Sequence, residues 1–228
     1  MHKGSQDTFD FLADWVAPNL FFSKNDKWYR MGVVGIWADM TMSCLPVGYI
    51  AEIGCGESSI YLSHIARKYD RKIYHCDIAG DKIINPTTIP GYMYPQALDF
   101  KERNVLHTFG KSSFFIGSSD DLFAKHLVSA PLALTFIDGD HCYGQAKKDF
   151  FNAANLTIDN GYILLHDTYP PSEKYLSPDS ACGDVYRLRQ ELEADARFDT
   201  LTLTYGVAMD VGLTICRVKP KHRPYYQE

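Results

Sequence analysis

The sequence predicts an α/β domain: a doubly wound, mostly parallel β-sheet with helices on both faces and an antiparallel edge strand. Three observations predict it. Short apolar runs of strand length alternate with amphipathic runs of helix length. Each of those apolar runs stops at Gly, Asp or His, the residue types that gather where ligands meet the carboxyl edge of such a sheet. The last two strand-like segments, 200–205 and 212–218, are joined closely enough for a hairpin, which reverses one strand.

The elements follow in order. Residues 47–53 form an apolar strand that ends at Gly54-Cys55-Gly56. Residues 58–69 form a helix, because Leu62, Ile65, Ala66 and Tyr69 fall on one face and Ser58 or Ser59 suits the N-cap. A second strand, 72–76, ends at Asp77, and a third, 114–116, runs into Gly117-Ser118-Ser119-Asp120. A fourth, 132–137, ends at Asp138. Residues 143–156 are helical with Ala146, Phe150, Ala153 and Ala154 inward. Asn160-Gly161 marks a turn before a fifth strand, 162–165, which ends at His166-Asp167. Residues 184–194 form a helix with Val185, Leu188 and Leu192 inward.

The chain divides into a helical extension (1–46), one domain (47–220) and a short tail (221–228). In the extension Phe9, Leu12 and Val16 suit one amphipathic face and 31–42 another, and the segment is expected on the sheet edge or over the active-site mouth. Proline-bearing stretches at 81–95 and 168–180 are expected as loops at the ligand edge.

Composition sets limits on function. The chain has 228 residues, 46% of them hydrophobic and 22% charged, enough for one folded core and unlike a disordered chain. A net charge of −5 argues against non-specific binding to nucleic acid or to an anionic membrane. No apolar run approaches the roughly 18 residues of a membrane span. The start lacks the apolar stretch of a signal peptide, so the expected compartment is the cytoplasm. Six scattered cysteines with no C-x-x-C pair are expected as reduced thiols.

Three motifs carry chemistry. In Glu52-Ile-Gly-Cys-Gly56 a strand enters a Gly-x-Gly turn and then a helix, where the backbone can approach a ligand and helix N–H groups are free. Ser59 stands where the dinucleotide fingerprint has its third glycine. Asp77, 21 positions after Gly56, ends the next strand, where a carboxylate can hold ribose hydroxyls. Phe136-Ile-Asp-Gly-Asp-His141 delivers Asp138, Asp140 and His141 to the same edge, and Gly161–Thr168 delivers His166 and Asp167. If those two strands are neighbours, about 4.8 Å apart, both clusters share one small volume. Carboxylates and imidazoles crowded there need a cation or a polar ligand.

Together these motifs resemble the class I S-adenosylmethionine-dependent methyltransferases, over about residues 49–218. The second and third are similar to the branch with macrolide-sugar and rhamnosyl O-methyltransferases and cephalosporin-hydroxylase-like proteins. The resemblance implies a Rossmann-like, seven-stranded sheet with the last strand inserted antiparallel. It places Glu52, Gly54, Cys55 and Gly56 under the methionine part of the cofactor and Asp77 on the ribose. Ser118, Ser119 and Asp120 would flank the adenine, and Asp138 would face the reacting end. It also implies a divalent metal, magnesium or similar, at Asp138, His166 and Asp167, with His166 standing where the relatives carry a carboxylate. His141 matches the relatives' general base.

The expected activity is therefore O-methylation of a small hydroxylated acceptor, sugar-like or natural-product-like, with His141 and Asp138 as catalytic residues. Tyr92, Tyr94, Tyr143, Tyr169 and Tyr175 are candidate lining residues. Terminal helices point, by analogy, to a homo-oligomer. Rival readings are a non-haem iron oxygenase on His141, His166 and Asp138, a catalytically silent cofactor-binding protein, and a nicotinamide-dependent dehydrogenase.

Overall fold

The computed structural model describes residues 32–56, 58–79, 102–128, 131–176, 182–204 and 211–220. In chain order its elements are α1 (Gly32–Cys44), β1 (Tyr49–Ile53), α2 (Ser58–Lys68), β2 (Ile73–Asp77), β3 (Leu106–Phe109), β4 (Ser112–Ile116), α3 (Ser119–Ala124), β5 (Leu132–Ile137), α4 (Tyr143–Leu156), β6 (Thr157–His166), a 3₁₀ turn (Glu173–Tyr175), α5 (Tyr186–Ala194), β7 (Phe198–Leu203) and β8 (Leu213–Val218).

The strands form one sheet in the order β3-β4-β2-β1-β5-β6-β8-β7. The run from β4 to β6 is parallel. β8 is antiparallel to both of its neighbours, and β3 is an antiparallel edge paired with β4 through Gly110, whose φ is +59°. The described sheet therefore has eight strands, seven matching the expected topology plus β3. The Asn160-Gly161 turn is a correction: pairing continues on both sides of it. Thr157 faces Leu132 and Tyr162 faces Leu134, so the intervening residues bulge, with Asn160 at φ +63°.

Register puts the site together. Ile53 pairs with Cys76 and with Ile137, Asp77 with Ile116, and Ile137 with Leu165. All five parallel strands thus stop at one edge, and the chain leaves β1 on one side for β2 and returns on the other as β5. Open α/β sheets bind ligands at such a switch.

Each face of the sheet is covered by apolar side chains. On one face Leu122, Ala146, Phe150, Ala153, Leu188 and Leu192 from α3, α4 and α5 meet Ala51, Phe115 and Ile163. On the other, Val34, Ala38 and Met42 of α1 and Leu62 and Ile65 of α2 meet Ile50, Leu134, Phe136 and Leu164. Burying a side chain such as Phe136 or Leu164 fully contributes about 1.5–3 kcal/mol.

The placement of α1 differs from expectation. It lies on the sheet face beside α2, not on the edge or over the mouth. Its composition explains this, because Val33, Val34, Ile36, Ala38 and Met42 are all buried. Gly35 admits the close approach, since a Cβ there would stand 2.9 Å from the Tyr61 ring. Asp39, itself buried, accepts from Lys68 Nζ at 2.6 Å and ties the two helices. Phe9, Leu12, Val16 and the 81–95 stretch lie outside the described residues. Among the described residues no helix is long and apolar enough to cross a membrane. All six cysteines are free thiols.

Candidate active site

The glycine turn is held from below and from both sides. Gly54 adopts φ +83°, and a Cβ there would come within 2.0 Å of the Asp138 carbonyl oxygen. Only glycine lets the turn after β1 touch the turn after β5. Gly54 N–H donates to the Cys76 carbonyl at 2.8 Å, and Asp138 N–H donates to that of Ile53 at 2.7 Å. Gly56 faces open space, with nothing within 4 Å of a Cβ built on it.

Glu52 lies beneath this turn and is fully buried. Its Oε1 accepts from Ser58 Oγ at 2.5 Å and its Oε2 from Ser59 Oγ at 2.7 Å, and His75 Nδ1 lies 2.5 Å from that same Oε2. His75 in turn reaches Ser63 Oγ at 3.1 Å through Nε2 and stacks on Phe114. Ser59 Oγ also accepts the Gly56 N–H at 3.2 Å. Glu52 therefore joins the end of β1, the first turn of α2 and β2 into one bonded unit. Sequence reasoning missed His75; a lone imidazole in the apolar run of β2 was the available signal.

Asp77 accepts N–H groups from Cys55 at 2.8 Å and Ala79 at 2.7 Å. A carboxylate has about four acceptor positions, so two hydroxyls can still be accepted. Burial first, then the charges of Glu52 and Asp77, push the Cys55 thiol well above its usual range, which leaves it protonated and inert. Ser118 caps α3, accepting the Asp121 N–H at 3.1 Å. Gln145 of α4 donates to Ser119 Oγ at 3.2 Å, Asp120 at 3.2 Å and Asp149 at 3.0 Å. Gln145 and Asp149 were not foreseen. Asp120 also accepts from Lys148, and Asp140 is exposed and accepts the Cys142 N–H.

The strand ends of β5 and β6 bring the other predicted residues together. His166 Nδ1 lies 2.8 Å from Asp138 Oδ1 and 3.3 Å from Asp167 Oδ1. His141 Nε2 lies 3.1 Å from Asp167 Oδ2 and 3.7 Å from Asp138 Oδ1. Successive strand residues point to opposite faces. Asp167 escapes that rule at φ +58°, a conformation Asp tolerates, and so turns back toward His166. Burial would push the His166 imidazole down, but the Asp138 and Asp167 carboxylates outweigh it and hold it up at about 10. Burial likewise pushes Asp138 up, and His166 with His141 brings it down to about 2.

The turn at 182–185 braces His141. Asp184 N–H donates to the His141 carbonyl at 3.1 Å, and the Asp184 carboxylate accepts the Tyr143 N–H at 2.5 Å. Gly183, at φ +50°, packs so tightly that a Cβ would stand 2.0 Å from the His141 carbonyl oxygen. Neither residue was foreseen. Tyr143 bonds Glu191 and Lys147 through its hydroxyl, Tyr169 lies under Arg189, and Tyr175 lies beside Lys174. Tyr92 and Tyr94 lie outside the described residues.

Two implied groups are tested by these residues. A close backbone turn at Gly54, open space at Gly56 and acceptor capacity at Asp77 fit an adenosyl cofactor. The expected magnesium does not fit. That ion demands oxygen ligands in near-octahedral geometry. Here a ring nitrogen contacts one oxygen of each carboxylate. Among the described residues two groups of possible ligand atoms converge within 4.8 Å, Asp138 with His141 and Asp167, and Glu52 with Cys55 and His75, and neither is the expected set.

Comparison with known proteins agrees with the fold. The profile described as "Methyltransferase domain" matches residues 51–168. The chain belongs to that family, and its class is that of the class I S-adenosylmethionine-dependent methyltransferases. No curated protein matches the sequence. Among solved structures it is similar to the O-methyltransferase TomG from Streptomyces achromogenes, involved in tomaymycin synthesis and solved with SAM. The identity is 15%, the TM-score 0.57, and the match covers 96% of this chain and 91% of that one. An O-methyltransferase from Bacillus cereus in complex with SAH gives 16%, 0.57, 96% and 92%. The SAH-bound Podospora anserina methyltransferase PaMTH1 gives 19%, 0.56, 93% and 96%.

Proposed function

We propose that the chain methylates a hydroxyl group of a small acceptor, sugar-like or natural-product-like, using S-adenosylmethionine. The observation that carries this reading is the partly exposed His141 imidazole set on the Asp167 carboxylate at the carboxyl edge of the sheet. The likeness to O-methyltransferases is consistent with it. The Gly54–Gly56 turn, Asp77 and the Ser118–Asp120 segment would hold the cofactor, which supplies an electrophilic methyl group when bound.

The protein's own task is alignment and proton removal. Asp167 fixes the orientation of His141, as a carboxylate does for a histidine base in other enzymes. With Nε2 set on Asp167, His141 takes the acceptor hydroxyl proton at Nδ1, and such help is worth about 10²–10⁴-fold. Asp138, bonded by His166, is a fixed negative group at the reacting end, suited to the sulfonium charge and to an acceptor hydroxyl. Holding both reactants in line supplies a further several kcal/mol, up to about 7–11 in well-oriented models.

The experiment is a methyl-transfer screen with hydroxylated acceptors, paired with calorimetric titration of S-adenosylhomocysteine. His141→Asn should lose about 10²–10⁴-fold in kcat and keep its cofactor affinity. Transfer to thiol or amine acceptors alone would overturn the hydroxyl assignment, and absence of cofactor binding would overturn the whole reading.

A further inference from the structure

We infer that His166 occupies the place of the divalent cation in this chain, so that the acceptor end is organised by an internal N–H donor and needs no metal. The inference rests on the reading above only in taking the His141–Asp167 end as the acceptor end.

The geometry carries it. A bridging cation would sit between the two carboxylates that end β5 and β6. The atom found there is His166 Nδ1, 2.8 Å from Asp138 Oδ1 and 3.3 Å from Asp167 Oδ1. A nitrogen lone pair facing two carboxylate oxygens would be repelled, so this nitrogen carries a proton and donates it. The ring is held: the residue ends β6, its backbone pairs with Leu213 of β8, and its ring lies tilted beside that of Phe136, with centroids 6.3 Å apart. The side chains of His166 and Asp167 are nearly buried, at 12% and 4% exposure. Moving the imidazole aside would therefore expose two close carboxylates in a poorly solvated place, which is costly.

The ligand count agrees. The resembling enzymes are expected to offer a carboxylate at position 166, and this chain offers an imidazole, leaving two carboxylates for an ion that wants oxygens. The convergent cluster that could take a softer ion is Asp138, His141 and Asp167, with His141 Nε2 its nitrogen. That nitrogen is already set against Asp167 Oδ2 at 3.1 Å, and the oxygen that Asp138 turns toward it is the one His166 holds. With the donor in place, Asp167 keeps one oxygen for His166 and the other for His141. The metal's electrostatic part is thus supplied by the fold, and the base stays oriented.

The test is a titration of metal-stripped full-length protein with Mg2+, Mn2+ and Zn2+ by calorimetry, with thermal unfolding read in parallel. The wild type should show no saturable site at millimolar ion and no shift in Tm on adding ion or chelator. His166→Glu, which restores an oxygen, should gain a saturable Mg2+ or Mn2+ site and a Tm that rises with the ion. Uptake of one equivalent of any of these ions by the wild type, lost in Asp138→Asn, overturns the inference. So does a folded His166→Glu variant that takes up none. Should that variant not fold, the wild-type titration decides alone. S-adenosylhomocysteine binding is measured separately, so a failed cofactor assignment is distinguishable from a failed metal assignment.

Discussion

Single residues beneath the site carry more of its geometry than those at its surface. Glu52 accepts from two serine hydroxyls and faces His75 with no access to water. Glu52→Ala leaves those groups without their partner, at about 1–3 kcal/mol for each buried group. The expected outcome is a fall of several kcal/mol in unfolding free energy, read from the denaturant midpoint, together with weaker cofactor binding. Unchanged stability would show that water replaces the carboxylate. Asp149 makes the opposite case. Burial raises its carboxyl to about 6 despite hydrogen bonds from Ser119 and Gln145, and the charges of Asp120 and Asp140 add to the rise. Cys76, across from it on β2, is raised by burial and then by Asp149. The folded state therefore binds the Asp149 proton more tightly than the unfolded state does. This group's share of stability is present below about pH 4, falls as pH rises to about 6, and is flat above, with a ceiling of about 3 kcal/mol. Asp149→Asn keeps an oxygen for Gln145 and should stabilise the protein at pH 7. A pH series of denaturant midpoints checks this, and a variant less stable at pH 7 than the wild type would refute it.

At the scale of elements, the site is an agreement between segments far apart in sequence. The strand ends of β5 and β6 supply the reacting groups, but the turn before α5 holds the His141 loop in place. Gly183→Ala would force a side chain into the His141 carbonyl at a backbone angle that L residues rarely adopt. The cofactor turn is untouched by this change. We expect kcat to fall by about 10²-fold, as a misplacement of about 1 Å can cause, with S-adenosylhomocysteine affinity unchanged. Steady-state kinetics and calorimetry separate the two, and a loss of affinity with kcat preserved would contradict the bracing role. This dependence also explains what the sequence disclosed. β5 and α4 are legible to the residue, because Pro131 and Asp138 bound a run that is apolar but for Thr135 and α4 has one apolar face. β3 is not legible: four residues at a sheet edge show no period, and pairing with β4 alone makes them a strand. Glu52, Asp77, Asp138, His141, His166 and Asp167 are legible because strand ends mark them. His75, Gln145, Gly183 and Asp184 are not, since the site residues they hold, Glu52, Ser119 and His141, lie 23 to 43 positions away.

The molecule as a whole tests where the domain begins. The motifs suggest a boundary near residue 47, with everything earlier an accessory. The packing places α1 inside the fold instead. Val33, Val34, Ile36 and Met42 are buried against the same sheet face as α2, and Asp39 is sealed under Lys68. Four large apolar side chains at about 1.5–3 kcal/mol each amount to much of a typical net stability of about 5–15 kcal/mol. Removing them would also uncover Ile50, Leu134 and Leu164, a contiguous apolar face beneath the β1 turn. A fragment of residues 47–228 is therefore expected to aggregate or to lack cooperative unfolding, and with it to lose cofactor binding, although every motif residue remains. One beginning just before α1, at residue 30, retains that covering. Thermal unfolding by circular dichroism and sedimentation of the two fragments decide the matter. A monomeric 47–228 fragment with a sharp transition would restore the boundary that the motifs suggest and make α1 dispensable.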